Sequence, residues 1–524
     1  MNKSKGTSVD RFIFWGTLVM LIGIIVPIVL FPEESQTIVA KLQAGALDGF
    51  GWGFLVFTFG AFIFCIFAAT SKWGKVKLGE PDDKPEYSTF SWCAMLFCAG
   101  QGSSIIYWGV IEWVYYYIGP PPGIEPMSVE AANVSTALSF FHWGPSAWAV
   151  YCLPALPMAY LYWKRREPVL RLSQTCQGVI PKKNLDGMTG KVIDLVILFV
   201  IVASYIATLG LGTPMIATGL EVLFGVPQTL LTKLGIIVVW SMIFIQSVYK
   251  GLDSGIRKLS EWNVYVAFVL VGLVFVFGPT SFILNKTSDS FAIMLGNYFE
   301  WSLFTDVVGQ NGFAKWWTVF YFAWWIAIAP FMGLWVARIS KGRTIKEIVV
   351  AEMIVGTLGG YTVFASLGSS GLHQQIAGVV DAVAILQNQG PTYAVAAILT
   401  SLPLGKVLLF LMISTMFLNL ATSVDSTAFI LAALASNGLK VGEEPVRWYR
   451  VFWAVAIVAV PIAMIIVDAS LSTLQAFTVL AAIPIVFLMI IMTVSFVKML
   501  KEDEGLSFSE IIEREEKKEC LINK

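Results

Sequence analysis

The strongest constraint on the fold is a series of twelve apolar runs, each close to the roughly 20 residues that an α-helix needs to cross a bilayer. Of the 524 residues, 57% are hydrophobic and only 13% are charged, whereas a soluble domain has about 25% charged residues. The sequence predicts an all-α membrane protein with twelve transmembrane helices, at 12–31, 52–70, 89–117, 141–163, 189–219, 231–250, 261–284, 315–338, 346–368, 406–435, 449–467 and 472–498. A thirteenth apolar stretch, 385–404, is cut by Gly390, Pro391 and Pro403 and predicts a re-entrant or interfacial piece.

Basic residues divide unequally between the segments that connect these spans. If the N-terminus lies inside, 30 of the 35 Lys and Arg residues fall on the inner side and five on the outer side. This is the distribution that the positive-inside rule describes. It predicts a multi-pass protein of the cell membrane with both termini cytoplasmic. The charges cancel over the whole chain, so the sequence does not favour a nucleic-acid partner.

Several classes of protein are disfavoured by what the chain lacks. Its six cysteines form no C-x-x-C pair and its only histidines are His142 and His373, so we expect no cofactor and no metal centre built on cysteine or histidine. The residues do not form a pattern typical of a membrane-embedded enzyme, and no ring of charges or carbonyl filter indicates a channel. No Walker A motif is present, so ATP is not expected to drive transport directly.

Two spans contain residues that interrupt helices. The third carries Gly100, Gly102, Ser103 and Ser104 near its middle, and the eighth carries Pro330. Broken helices mark the binding sites of many transporters, because unwound backbone can hold a substrate or an ion. The two breaks lie five spans apart, which predicts two inverted five-helix repeats, spans 3–7 and 8–12. The alternative is that both are kinks for helix packing.

Aromatic residues cluster beside these breaks. Trp324 and Trp325 precede Pro330, while Trp143 begins the fourth span and Tyr151 follows on a similar face. Converging aromatic faces can bind a quaternary ammonium group. Another possibility is an interfacial belt of aromatics, to which we assign Trp316, Trp317 and Tyr321. Two acids lie within spans, Glu112 and Asp425, and they are either functional or anchors for helix packing.

The order of several motifs resembles the betaine/carnitine/choline transporter family over residues of about 10 to 500. The segments that carry the resemblance include WGVIE (108–112), YIGPPPGIEP (117–126), FHWGP (141–145), TVFYFAWW (318–325), ARISKGRT (337–344) and ATSVDS (421–426). Of these, ARISKGRT and the Trp-Trp segment are highly specific in combination. The tyrosine-rich end of the third span and FHWGP are most similar to the carnitine/γ-butyrobetaine exchanger branch.

The resemblance implies a fold like that of the leucine transporter, with two five-helix repeats after two extra N-terminal helices, assembled in the lipid bilayer as a homotrimer. It implies alternating access for trimethylammonium compounds such as glycine betaine, carnitine or choline. The expected organisation is a cytoplasmic N-terminus (1–11), two extra helices with a cytoplasmic loop (12–88), the first repeat (89–284), an external loop (285–314), the second repeat (315–498) and a cytoplasmic tail (499–524). The tail is either a solvated helix or a regulatory segment.

The substrate site follows from the resemblance by position. The aromatic box would consist of Trp143, Tyr151, Trp324 and Trp325, with Trp324 dominant and with Tyr115 beside it. The family usually has another aromatic residue where this chain has Ile328, so one wall would be aliphatic. The glycine-rich stretch that includes Gly100 and Gly102 would also contact the substrate.

The resemblance also bears on the coupling ion. Sodium-coupled members resemble this chain at Thr422 and Ser423, to which the backbone near Ala99 and Gln101 could add carbonyl oxygens, and Ser204 with Thr208 is a second candidate pair. The sodium-independent exchanger has an arginine where this chain has Asn263, which favours sodium symport, while Met332 matches the exchanger. Sodium symport is therefore the main hypothesis, and exchange of precursor and product betaines without sodium is the alternative.

Overall fold

The computed structural model describes residues 8–101, 104–167, 171–250, 256–437, 445–466 and 471–505. Its helices run in this order: α1 (Arg11–Leu30), α2 (Pro32–Thr70), α3 (Thr89–Gln101), α4 (Ser104–Ile118), α5 (Val129–His142), α6 (Pro145–Ala159), α7 (Lys182–Leu185), α8 (Met188–Phe224), α9 (Leu230–Lys250), α10 (Ile256–Phe277), α11 (Thr280–Leu303), α12 (Phe320–Ile339), α13 (Ile345–Val350), α14 (Thr357–Val363), α15 (Ser369–Ile376), α16 (Ala382–Gln389), α17 (Pro391–Thr400), α18 (Gly405–Leu434), α19 (Arg447–Ile466) and α20 (Leu471–Glu504). The chain is thus helical throughout most of its described length, as the sequence predicts.

Shorter helical segments join several of these elements. There are 3₁₀ turns at Lys72–Lys75 and Leu172–Cys176, and π-helical segments at Tyr160–Lys164, Lys315–Val319, Ala351–Gly356 and Phe364–Gly368. The π-helical segments make Lys315–Ile339 and Ile345–Ile376 continuous helices. A two-residue ribbon pairs β1 (Ser8–Val9) with β2 (Ser436–Asn437) in antiparallel register, which ties the start of α1 to the end of α18.

In the described part of the chain, five helices are long and apolar enough to cross a membrane by length and composition. They are Arg11–Leu30, Pro32–Thr70, Lys315–Ile339, Ile345–Ile376 and Ala476–Glu504. A sixth candidate is the pair Trp262–Phe277 and Thr280–Leu303, which is bent by 107°. These helices make the protein a multi-pass membrane protein, and the full count of twelve spans stays a prediction.

The structure corrects the predicted start of the second span. We expected it at residue 52, but α2 begins at Pro32. Proline suits the first helical position because its missing N–H has no partner there in any helix, and Glu33 and Glu34 in the first turn complement the positive end of the helix dipole. The hydropathy pattern follows only the part of α2 that is apolar enough to lie in lipid, so it missed the first five turns.

The external loop is also more ordered than we predicted. We expected residues 285–314 to form a loop, yet α11 covers them up to Leu303. The seventh span ends at Phe277 rather than 284, and the chain turns at Gly278 into α11. The helix α11 carries many polar residues and packs against α5, a second connecting helix that the apolar pattern did not reveal. The interrupted stretch 385–404 does form two short helices, α16 and α17, which meet at Gly390 with φ +96°.

The predicted break at Pro330 is wrong, because α12 runs as one helix from Phe320 to Ile339. A proline inside a helix costs about 3 kcal/mol or more, and burial of nearly every residue of α12 against α6 and α20 offsets this cost. The helices α12 and α6 pack so closely that a Cβ added at Gly333 would lie 2.9 Å from Pro154 Cγ. The predicted break in the third span concerns Gly102 and Ser103, which lie outside the described residues.

At its C-terminal end α6 is held by ion pairs to the end of α20. Arg165 Nε lies 2.6 Å from Asp503 Oδ2 and Lys164 Nζ lies 3.1 Å from Glu504 Oε1. Tyr160 OH donates a further hydrogen bond to Asp503 Oδ2, at 2.9 Å. These contacts fix the helix that carries the candidate site described next.

Candidate functional site

Three aromatic rings surround the ring of Trp325 in the interior of the protein. Its ring centroid lies 4.6 Å from that of Tyr151, 5.5 Å from that of Trp143 and 6.0 Å from that of Trp148. The Trp143 ring meets Trp325 edge to face, at 80°. We call these four residues the aromatic cage. All four side chains are buried, with at most 6% exposed.

Two closely packed helices position the cage. Tyr151 and Trp148 lie on α6, Trp325 lies on α12, and these two helices share the most extensive contact in the described structure. Trp143 caps α5, and Gly144 separates it from Pro145 at the start of α6. A Cβ on Gly144 would lie only 2.5 Å from the Phe140 carbonyl oxygen, so the tight turn that aims Trp143 at the cage requires glycine.

The structure places the other predicted box residues differently. Trp324 is buried and its ring packs on Phe320, with centroids 5.6 Å apart. Tyr115 contacts Trp108 and Trp317, and Ile328 is half-buried at the edge of the core. Trp143, Tyr151 and Trp325 are therefore the predicted residues that the structure brings together.

Trp148 is a cage residue that sequence reasoning missed. It lies three residues before Tyr151, on the same face of α6. This spacing was a usable signal, but the neighbouring residues Ala147, Ala149 and Val150 are also apolar and hide it in the sequence. Its ring is packed tightly against another helix, because a Cβ on Gly356 would lie 2.5 Å from Trp148 Cδ2.

A buried carboxylate supports the cage from behind. Glu112 on α4 is fully buried and accepts three hydrogen bonds, from Trp143 Nε1 at 2.9 Å, from Tyr116 OH at 2.9 Å and from Tyr321 OH at 2.6 Å. The bond to Trp143 fixes the orientation of one cage ring. Hydrogen bonds of this kind stabilise a charged acceptor, so the arrangement can support a negative charge next to the aromatic faces.

Further polar contacts extend this network. His142 Nδ1 lies 2.7 Å from Tyr116 OH and His142 Nε2 lies 3.0 Å from Thr318 Oγ1. Because Tyr116 donates to Glu112, the neutral His142 ring donates through Nδ1 and accepts from Thr318 through Nε2. The His142 ring also stacks on Tyr321 at 5.0 Å. The series of hydrogen bonds from Glu112 to Thr318 thus joins α4, α5 and the π-helical segment before α12.

This network corrects our assignment of Tyr321 to an interfacial belt. Tyr321 is 3% exposed and its hydroxyl binds Glu112, whereas Trp316, at the start of the same helix, is 47% exposed. The two residues are five positions apart, so they face different sides of the helix. Sequence alone gives Tyr321 and Trp316 the same aromatic signal.

The residues proposed for sodium lie mostly beyond what the structure describes. Gly102 lies outside the described residues, and so do the side chains of Ala99, Gly100, Gln101, Thr208, Thr422, Ser423 and Asp425. Ser204 is described, and its hydroxyl donates to the Val200 carbonyl oxygen at 2.9 Å.

Asn263 lies at a cavity between α10 and α18. The cavity is lined by Phe97, Ile105, Ile106, Asn263, Val264, Ala267, Phe268, Val271, Thr362, Val363, Thr415 and Asn419. Asn263 is buried, and its Oδ1 accepts no hydrogen bond from any residue that the structure describes. The described lining contains oxygen and nitrogen atoms from Asn263, Thr362, Thr415 and Asn419 but no lysine or arginine.

Comparisons with known proteins agree with this architecture. The profile of the family described as "BCCT, betaine/carnitine/choline family transporter" matches residues 12–505. A carnitine transporter of Acinetobacter baumannii is 37% identical over 514 residues, which cover 98% of this chain and 93% of the relative. The uncharacterized transporter YeaV of Escherichia coli K12 is 38% identical, covering 84% of this chain and 90% of the relative.

A third relative, a probable glycine betaine transporter of Desulfitobacterium hafniense, is 34% identical, and the match covers 94% of this chain and 95% of the relative. The relatives named in these comparisons are transporters rather than enzymes, in agreement with the prediction from sequence. Both the family match and the relatives extend over nearly the whole chain, so this protein is a member of the betaine/carnitine/choline transporter family.

Proposed function

We propose that this transporter carries trimethylammonium compounds of the carnitine and glycine betaine class. The observation that carries the proposal is the aromatic cage with Glu112 behind Trp143. A trimethylammonium head cannot donate hydrogen bonds, so it binds through cation–π contacts, worth about 2 kcal/mol or more where water is excluded. A neighbouring carboxylate adds electrostatic attraction for the same head. The relatives named as carnitine and glycine betaine transporters support this class.

Burial of the cage supports an alternating-access mechanism. Every cage side chain is at most 6% exposed, so a substrate reaches the rings only when surrounding helices move. The cage joins α6 and α12, which belong to the two predicted inverted repeats. Movement of one repeat relative to the other would therefore open and close the cage. Both the leucine-transporter-like repeat organisation and the homotrimer in the lipid bilayer remain part of this proposal.

We further propose that sodium drives uptake by symport. Support comes from Asn263, because the exchanger branch has an arginine at this position and no described residue lining the cavity carries a positive charge. The cavity also lies against α18, the helix that carries Thr422 and Ser423. Neutral oxygen ligands of the kind that Thr422 and Ser423 could supply suit a hard cation.

The test is counterflow of labelled carnitine or glycine betaine in proteoliposomes, with sodium or with potassium as the cation. We expect sodium to raise substrate affinity about tenfold, within the usual range of coupling free energies of about 1–3 kcal/mol. The double variant Thr422→Ala, Ser423→Ala should lose this dependence and keep weak binding. Ser414→Ala, which removes an exposed hydroxyl from the same helix, is the matched control and should behave as wild type.

Two results would change the proposal. Equal exchange in sodium and potassium would replace symport with the sodium-independent exchange of betaines. Failure to bind or exchange any trimethylammonium compound, in protein that is folded, would show that the substrate class is wrong. Asn263→Arg adds a check, since a guanidinium at the cavity should reduce the sodium requirement if the ion binds there.

The contact between Gly356 and Trp148 yields another prediction. Gly356→Ala places a methyl group where only about 2.5 Å is available before the Trp148 ring, so the ring must shift away from Tyr151 and Trp325. Overpacking of this kind costs about 1–3 kcal/mol, and we expect substrate affinity to fall roughly tenfold. Equilibrium binding of labelled carnitine measures the effect. Gly296→Ala, at a glycine with open space around it, should leave affinity unchanged, and equal affinities for both variants would contradict the role of Trp148.

A further inference from the structure

A second buried carboxylate lies outside the network around Glu112. Glu352 belongs to the π-helical segment Ala351–Gly356 in the middle of the helical stretch Ile345–Ile376. Its side chain is 0% exposed. Neither carboxyl oxygen accepts a hydrogen bond from any residue that the structure describes. Glu112, by contrast, has three donors, so the two acids have opposite environments.

The titratable groups near Glu352 come from two neighbouring helices. The Ala351–Gly356 segment packs against α3 and α6 and continues α13. Cys93 of α3 and Cys152 of α6 are close enough to interact electrostatically with Glu352, and Cys65 of α2 lies beside Cys152. These thiols are weak hydrogen-bond donors, and none of them supplies a positive charge.

The arginine just before α13 is committed elsewhere. Arg343 interacts electrostatically with Cys93, but its guanidinium donates to Glu347 at 3.1 Å, to Thr89 at 3.2 Å and to the Tyr87 carbonyl at 2.8 Å. Glu347 in turn completes the capping box with Thr344. Arg343 and Glu347 therefore satisfy each other, and no described residue forms an ion pair or a hydrogen bond with the Glu352 carboxyl group.

An ionised carboxylate in this position is expensive. Removing such a group from water costs several kcal/mol unless a cation or hydrogen-bond donors compensate, and the cost is similar in size within a membrane. A bound metal ion would need more ligands, and the described residues contain no group of three His, Cys, Asp or Glu side chains that could hold one. A proton requires a single acceptor and removes the charge.

We propose that Glu352 is a proton-binding site on the predicted cytoplasmic side of the transporter, and that its protonation state is linked to the shape of the aromatic cage. Glu352 lies eight residues after Thr344, which places it about 12 Å along the helix from that capped start. The start of α13 lies in a segment predicted to face the cytoplasm, so protons reach Glu352 from that side.

A direct packing path links this site to the cage. Gly356 ends the π-helical segment that contains Glu352, and it contacts the Trp148 ring. Trp148 in turn contacts Trp325 and Tyr151. Loss of the proton would leave an unpaired charge among α3, α6 and this segment. Relief of that charge by hydration or separation of the helices would displace Trp148 and weaken the cage.

The first experiment tests proton binding without any substrate. Infrared difference spectra of the full-length protein, recorded over a pH titration, report the C=O stretch of a protonated carboxylic acid. We expect Glu352→Gln to remove a protonated band that is present at neutral pH in wild type. Glu34→Gln, which alters an exposed acid in the first turn of α2, should retain it. An unchanged protonated band in Glu352→Gln would overturn the proposal.

The second experiment tests the link to the cage, and this part depends on the proposed substrate class. Binding of labelled carnitine or glycine betaine by wild type should weaken about tenfold between about pH 5 and about pH 9, because the proton is lost as pH rises. Glu352→Gln imitates the protonated form, so its affinity should stay high and vary less than about twofold. A pH profile identical to that of wild type would overturn the link.

If the glutamine side chain of Glu352→Gln disturbs folding, the variant Glu352→Met allows both experiments to be carried out. Glu352→Met has a similar volume without a polar group, and it should fold and bind independently of pH for the same reason. If no variant and no wild-type protein binds a trimethylammonium compound, the proposed substrate class fails, whereas the infrared result still decides whether Glu352 binds a proton.

Discussion

Replacing Trp325 with leucine should weaken binding of carnitine or glycine betaine roughly 30-fold. Trp325 is the ring that contacts the other three cage residues, so its loss removes one aromatic face and the packing that orients Trp143 and Tyr151. Loss of a central aromatic residue in a site that excludes water costs about 2 kcal/mol or more. Equilibrium binding of labelled substrate to purified protein measures the change.

The neighbouring tryptophan provides a matched control. Trp324 has similar burial, at 8% exposed against 4% for Trp325, but its ring packs on Phe320. We therefore expect Trp324→Leu to reduce affinity less than about threefold. The sequence analysis favoured Trp324 as the dominant residue, and a larger loss for Trp324→Leu than for Trp325→Leu would support that assignment against the structural one.

How far the fold could be predicted depends on what each segment does in the membrane. Apolar runs predicted α1 and the helix Lys315–Ile339 to within a few residues, and they predicted the start of the helix Ile345–Ile376 but not its end. They succeed there because lipid contact selects for apolar residues directly. The helices α5 and α11 escaped prediction, because they are partly polar and owe their stability to packing against each other. Hydropathy carries little information about such helices.

Pro330 shows a different limit of prediction from sequence. The proline rule describes an isolated helix, and α12 is buried along almost its whole length. Tertiary packing and the low dielectric of the surroundings both favour keeping the backbone hydrogen-bonded. A sequence therefore reveals where a helix is weakened, while the neighbours of that helix decide whether it breaks.

The cage itself was only partly accessible from sequence. Trp143, Tyr151 and Trp325 could be named because they occupy family motif positions, and that resemblance carried more information than helical spacing. The donors to Glu112 could not be named as a group, since Tyr321 lies 209 residues away from it in the chain. Only Tyr116 has a local signal, because it follows Glu112 by four residues on one helix face.

The second large effect concerns the charge of Glu112. Glu112→Gln should weaken binding of a trimethylammonium substrate roughly 30-fold, since a unit charge about 8 Å from the cationic head contributes about 2 kcal/mol at an effective dielectric constant of about 20. Three donors stabilise the carboxylate in the folded protein, and the amide removes the charge with little change of volume. Glu112→Ala should instead destabilise the protein, because it leaves three buried donors without an acceptor at about 1–3 kcal/mol each.

A neutral substrate analogue distinguishes the effect of the Glu112 charge from the effect of its hydrogen bond to Trp143. A tert-butyl compound has nearly the shape of a trimethylammonium head but no charge, so its weaker binding should change less than about twofold in Glu112→Gln. If both ligands lose affinity equally, Glu112 acts only by orienting Trp143 through the 2.9 Å hydrogen bond to its indole. If neither changes, the carboxyl group is neutral in the binding state. A selective loss for the cation would show that this family member recognises its substrate with a buried negative charge as well as with aromatic faces.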